Sequence, residues 1–181
     1  MNKQMLIIGS KGGVGKACVK YFSNNYDIIS ISRQQGDLRD KEFLKSIVEK
    51  YNPVVLLNCA GVYEKDFFDI FESNFLAVSF LTLEFYKKMK SGHIINICSS
   101  SANSSGWPGM DYNRLNYNVS KLSLKKFSNF LQSSKNRSVK VTSLEPAQIN
   151  TKMLKDKSHN IIPLEPSYIV EVINWILDQP D

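Results

Sequence analysis

Short apolar runs and amphipathic stretches alternate along the chain from one end to the other. Five runs are apolar and rich in Ile and Val: 4–9 (QMLIIG), 27–32 (DIISIS), 53–58 (PVVLLN), 93–98 (HIINIC) and 138–144 (SVKVTSL). Runs of this kind suit strands covered on both faces, where no face is left for polar side chains. Between them lie stretches with helical spacing, at 13–23, 39–50, roughly 65–90, 113–134 and 166–178. In the first of these, Val14, Cys18, Tyr21 and Phe22 share one face. The last opens with Pro166 and carries Ile169, Val172, Ile173, Ile176 and Leu177. Such alternation predicts an α/β fold, a doubly wound parallel sheet with helices on both faces. Run 27–32 is followed almost at once by Gly36-Asp37-Leu38 and the next helix. A parallel crossover needs about a dozen residues or more, so Asp37-Leu38 is expected to be a loop or a vestigial strand. The strand order is then 2-1-3-4-5. Its switch point lies between the first and third strands, and a ligand belongs there, at the carboxyl ends. No internal repeat or composition break divides the chain, which predicts one domain over 1–181.

Composition narrows the class. Over 181 residues, 43% apolar and 22% charged is ordinary globular usage, which excludes collagen, coiled coil and wholesale disorder. No apolar run is long enough to span a bilayer, and the N-terminal apolar stretch breaks at Gly9, too early for a secretory signal. Cys18, Cys59 and Cys98 are odd in number and widely spaced, which suits a reducing, cytoplasmic setting. The net charge of +6 is spread over scattered lysines with no arginine stripe. That predicts a solvated surface rather than a nucleic-acid or membrane partner. His93 and His159 have no partners at metal-ligand spacing, so no metal is expected.

The loop after the first run, Gly9-Ser10-Lys11-Gly12-Gly13-Val14-Gly15-Lys16-Ala17, opens the first helix. Glycines there let the backbone turn tightly and approach a pyrophosphate, and the helix N-terminus adds free N–H groups and partial positive charge. Two ligands fit. Gly9, Gly13 and Gly15 read as the G-x-x-x-G-x-G of a dinucleotide loop. The stretch KGGVGK, 11–16, also looks like the deviant phosphate loop of partitioning-type ATPases, which needs Ser or Thr next to hold magnesium. Here the next residue is Ala17, which has no oxygen, and ordinary phosphate-loop spacing would put its first glycine on Ser10. The loop alone does not choose between them.

The rest of the chain does. Asn58-Cys59-Ala60-Gly61 follows the third run, and Asn74 lies on the helix after it. The fourth run ends Asn96-Ile97-Cys98-Ser99. Tyr117-Asn118-Val119-Ser120-Lys121 opens a helix, and Pro146-Ala147-Gln148-Ile149-Asn150-Thr151 follows the fifth run. With 8 tyrosines and 19 lysines in the chain, chance alone supplies about one Tyr-x-x-x-Lys. A second copy, Tyr86 with Lys90, sits late on a helix near the amino ends of the strands and is read as structural. The specific signal is the ordered set. In that order the chain resembles the short-chain dehydrogenase/reductase family from Met5 to about Leu177.

The resemblance implies a Rossmann-like fold and an NAD(P)-dependent oxidoreductase. It acts by hydride transfer on a small carbonyl or alcohol substrate, with Asn74, Ser99, Tyr117 and Lys121 as the catalytic set. Hydride addition to a carbonyl leaves charge on oxygen, which a phenol can protonate. Lys121, one helical turn from Tyr117, is expected to favour the phenolate and lower its pKa. The family also uses this lysine to hold the nicotinamide ribose. Ser99 would steady the substrate oxygen, and Asn74 resembles the asparagine that holds a proton-relay water. Counting from Asn96 selects Ser99; counting back from Tyr117 by the family interval selects Ser104. Ser99 is preferred because a strand end holds a side chain more firmly than a loop.

The resemblance assigns cofactor contacts to Gly9, Ser10, Lys11, Gly13, Val14, Gly15, Arg33, Asp37, Leu38, Asn58, Ala60, Gly61, Tyr117, Lys121, Ile149 and Thr151. Arg33 ends the second run where an NAD-binding chain often carries a carboxylate, so NADP(H) is favoured over NAD(H). Asp37 and Leu38 match the pair that contacts adenine. Ile8, Cys59 and Ala147 depart from the family pattern without touching a proton-transfer group. The substrate lid, 152–165, is short, and no final strand follows the last helix. An open pocket is expected, walled by 62–66, 100–116 and 152–165 with Trp107, Tyr112 and Met153 as candidate lining. The tetramer contact that uses the last strand should be missing, which leaves a homodimer through 65–90 and 113–134. Two other readings stay open: an NADP-binding sensor or partner subunit without catalysis, and the ATPase.

Overall fold

The computed structural model describes residues 3–63, 65–103, 112–134, 138–154 and 162–179. Its centre is a sheet of β1 (Gln4–Ile8), β2 (Asp27–Ile31), β3 (Val55–Asn58), β4 (Gly92–Ile97) and β5 (Val139–Leu144). All pairings are parallel and the order is β2-β1-β3-β4-β5, as the alternation predicts. Asp37-Leu38 is a loop. The helices are α1 (Gly13–Phe22), α2 (Lys41–Lys50), α3 (Phe67–Phe71), α4 (Ala77–Lys88), α5 (Tyr112–Gln132) and α6 (Pro166–Leu177).

Alternation along the strands sends successive side chains to opposite faces and builds two cores. Leu6, Ile8, Leu56, Ile94 and Val141 pack with Leu44 and Ile47 of α2, Leu81 and Phe85 of α4, and Leu131 of α5. Met5, Ile7, Val55, Leu57, Ile95 and Ile97 pack with Val14, Cys18 and Phe22 of α1 and Ile169, Val170 and Ile173 of α6. Met5 to Ile8 are all 0% exposed. At about 1.5–3 kcal/mol for each large apolar side chain buried, this two-sided burial holds the layers together. Asp40 caps α2 by accepting from Glu42 N (2.9 Å) and Phe43 N (3.3 Å). At the other end of α2, Lys88 of α4 donates to the carbonyls of Val48, Glu49 and Tyr51, supplying a basic group where the helix leaves carbonyls unpaired. Tyr86 is buried and donates to Leu131 O (3.2 Å), so the second Tyr-x-x-x-Lys is structural.

The structure corrects the stretch read as one helix over 65–90. It is α3, then a π-helical turn at Glu72–Leu76, then α4. The wider turn shifts the side-chain register locally, and apolar spacing does not reveal it. The turn carries Asn74. In the lid region the described residues form a single parallel bridge, Ile149 with Leu164. Ser104, Trp107 and His159 lie outside the described residues, with the rest of 104–111 and 155–161.

Candidate active site

The carboxyl ends of β1, β3, β4 and β5 converge on one cleft. At its floor Gly9 has φ +80°, a left-handed conformation that glycine adopts without strain, and a Cβ there would lie 2.6 Å from Ala60 N. A Cβ on Gly15 would lie 2.2 Å from Gly9 O, so loop and helix close tightly on each other. Gly12 caps α1 with no side-chain hydrogen bond, which leaves first-turn N–H groups for an anion. Gly13 faces Thr151: a Cβ would meet its methyl at 2.3 Å, so the loop and the segment after β5 meet across the cleft. Ser10 and Val14 turn inward. Ser10 donates both its Oγ–H (3.1 Å) and its N–H (3.0 Å) to Ile31 O, and Val14 packs into the core beneath α6. Ala17 also packs there.

At the outer end, Lys11 Nζ donates to Gln34 Oε1, tying the loop to the turn after β2. Arg33 is exposed beside it. The Asp37 carboxylate is engaged by Arg39, with Nη2 to Oδ2 at 2.7 Å, and Arg39 also pairs with Asp69 of α3. The hydrogen bonds from Arg39 hold the Asp37 carboxyl below its usual range. Leu38 packs against the α2-side core.

At the inner end, Lys121 is 3% exposed, its Nζ donates to Ile97 O (2.8 Å), and it lies 5.9 Å from the Tyr117 ring centroid. Burial lowers its pKa. Ser99 Oγ lies 2.8 Å from Ser101 Oγ. Burial pushes the Tyr117 phenol up to about 12, although the nearby Ser99 pulls the other way. This reverses the expectation that Lys121 lowers it: Lys121 engages Ile97 O, and water exclusion dominates. Cys98, beside Ser99, is pushed up to about 11, again by burial. A Cβ on Gly61 would stand 3.5 Å from Lys121 Nζ and 3.6 Å from Asn74 Oδ1, so this glycine keeps the space between them open.

Asn74 is fully buried. Its Oδ1 accepts from Val62 N (2.8 Å), and its Nδ2 donates to Val62 O (2.9 Å) and Ser120 Oγ (3.3 Å). Its side chain thus grips the loop after Gly61. Asn58 is also inside: its Nδ2 donates to Asn96 Oδ1 (2.7 Å) and Thr82 Oγ1 (3.2 Å). Asn96 Nδ2 continues this chain to Ser128 Oγ (2.8 Å). The network stitches β3, β4, α4 and α5 together behind the cleft. Ile149 packs against the α6-side core, and Thr151 Oγ1 accepts from Met153 N (3.3 Å). Among the described residues no group of His, Cys, Asp and Glu could hold a metal ion.

Tyr63 and Arg114 fall within the expected walls 62–66 and 100–116 without being singled out by the sequence, and Arg39 lies outside every expected site segment. Tyr63 meets Tyr117 edge to face, with centroids 5.4 Å apart, and accepts from Arg114 Nε (3.4 Å). Arg114 is one helical turn before Tyr117, a spacing that could have flagged it. Tyr63 lies on a loop, where no periodicity points to it.

A family profile described as short chain dehydrogenase matches residues 31–161, well over half of the chain. The chain belongs to the short-chain dehydrogenase family. It is an NAD(P)-dependent oxidoreductase. No match was found among curated protein sequences. Solved structures share the fold of this short-chain dehydrogenase. A short chain dehydrogenase from Burkholderia cenocepacia, in complex with NADP, has TM-score 0.85 and 17% identity over 100% of this chain and 87% of that one. BdcA in complex with NADPH has TM-score 0.83 and 18% identity, covering 97% and 86%. A 4-hydroxyisoleucine dehydrogenase complexed with NADH and succinate has TM-score 0.78 and 24% identity, covering 97% and 91%. Among the described residues no helix is long and apolar enough to cross a membrane.

Proposed function

We propose that this dehydrogenase uses NADP(H) to reduce a carbonyl, or oxidise the corresponding alcohol, with Tyr117 as the proton donor or acceptor. The observation that carries this reading is the buried Lys121 ammonium, held by Ile97 O at 2.8 Å and 5.9 Å from the Tyr117 ring centroid, beside the strand-end Ser99. The residues gathered here are of the kinds that would hold a nicotinamide dinucleotide. The uncapped N-terminus of α1 and the Gly9–Gly15 loop would take the pyrophosphate, Lys121 and Tyr117 the nicotinamide ribose, and Ile149 and Thr151 the nicotinamide end. Ala60 and Gly61 would border it through their backbones. When bound, the cofactor supplies or accepts the hydride.

The chain's own residues supply the rest. Ser99 hydrogen-bonds the carbonyl oxygen and holds it against Tyr117. Charge gathers on that oxygen as the carbonyl is reduced, and the Tyr117 O–H transfers its proton there. Tyr117 is protonated at neutral pH, as an ordinary phenol is, and this is the form that reduction requires. The resulting phenolate lies near Lys121, which stabilises it until solvent returns the proton. Asn74 acts through its grip on Val62 and Ser120.

NADP(H) is favoured because Arg33, with Lys11 nearby, stands at the end of β2 where a carboxylate would repel a 2′-phosphate. Two similar structures hold NADP and NADPH, which supports this. One cofactor-binding domain, a lid at 152–165 and a cytoplasmic setting complete the proposal. The free cysteines of the described residues suit a reducing compartment. Leu115, Val119, Leu122 and Phe130 lie exposed along α5, a stripe that suits a homodimer through α3, α4 and α5. Titration with NADPH and NADH, followed by nicotinamide fluorescence, tests the reading. Tight NADPH with weak NADH binding is expected, and binding of neither would overturn it.

A further inference from the structure

Tyr63 belongs to no motif of the sequence, yet it stands against the residue on which the chemistry turns. Its ring meets Tyr117 edge to face at 5.4 Å and 71°. It is held from two sides. Asn74 grips both the N–H and the C=O of the preceding residue, Val62, at 2.8 and 2.9 Å. Arg114, one turn before Tyr117 on α5, donates to its hydroxyl at 3.4 Å. A ring fixed in this way restricts the rotation of Tyr117 and covers part of it from water.

We propose that Tyr63 is a positioning residue: a wall of the active site that fixes the Tyr117 ring and keeps water from its hydroxyl. The proposal rests on the reading of Tyr117 as the proton donor, and it gives Asn74 a route to the chemistry through Val62 and Tyr63. Burial is the largest influence on the Tyr117 phenol, so removing the wall should ease its ionisation, whereas keeping a ring there should not.

Tetranitromethane nitrates tyrosines through the phenolate. Nitration of Tyr117, mapped by peptide mass spectrometry across a pH series, therefore reports its titration without any substrate. Exposed Tyr112 serves as the internal reference. In Tyr63→Ala, the Tyr117 profile should move to lower pH by about one unit, which is about tenfold faster nitration at a fixed pH. In Tyr63→Phe it should follow the parent within about twofold. An unchanged profile in Tyr63→Ala, or Tyr63→Phe behaving like Tyr63→Ala, overturns the proposal. If Tyr63→Ala does not fold, Tyr63→Ser, which likewise removes the ring and admits water, carries the same expectation. A parallel series with NADPH separates the two readings. If NADPH fails to protect Tyr117 in the parent, the cofactor reading falls while the comparison of Tyr63 variants still stands.

Discussion

The two ends of the cleft hold their charges in opposite ways. At the outer end, Arg39 and Asp37 are 43% and 53% exposed, and Arg33 stands in solvent. Each ion there is hydrated and screened by salt, so its contacts are individually weak and exchangeable. At the inner end, Asn74 and Lys121 are 0% and 3% exposed, and the half-buried Tyr117 lies edge to face against Tyr63. There the loss of water outweighs nearby charge, which is why Tyr117 moves up even with an ammonium close by. The outer end leaves its charges to solvent; the inner end shuts its polar groups away from it.

The sharpest break in that comparison is Tyr117→Phe, which keeps the ring and removes the proton. Turnover of the carbonyl found by a substrate screen should fall by about 10²–10⁴-fold, with NADPH affinity unchanged by fluorescence titration. Next is Ser99→Ala, expected to lower kcat by about 10²-fold while Ser104→Ala leaves it near the parent; the reverse would move the serine assignment to Ser104. At the outer end, Arg33→Ala should weaken NADPH by about tenfold and leave NADH unchanged. Raising the salt should shrink that difference, because the contact is exposed. The pH profile of kcat/KM for reduction should stay flat through neutral pH. It should fall only as pH climbs toward the raised Tyr117 value of about 12, since the protonated phenol is the active form below it. A limb near pH 7 would show that another group controls the proton. The smallest effect belongs to Arg39→Ala, whose solvent-exposed pairs with Asp37 and Asp69 should leave Tm almost unmoved in a thermal melt.

The five strands, their order and the helices between them were legible because burial on both faces leaves continuous Ile- and Val-rich runs. The short link after Ile31 excluded a strand at Asp37-Leu38 by chain length alone. The ordered residues from Gly9 to Thr151 marked the cleft, and the fold brings Gly13, Gly61, Asn74, Ser99, Tyr117, Lys121 and Thr151 to it. The pattern did not reveal the π-helical turn around Asn74, because a change of backbone register leaves the residue types unchanged. Nor did it show that Asn58 lies behind the cleft, since a strand-end asparagine reads the same whichever way it faces.

By itself the sequence determined the layer architecture and the strand order, because periodicity and chain length are local properties. Only the tertiary structure decided what those residues experience. Lys121 is drawn to Ile97 O, Asp37 is held by Arg39, and a loop tyrosine, Tyr63, covers Tyr117. A pKa and a hydrogen-bond partner depend on which distant segments exclude water from a group, and that is settled when the chain packs.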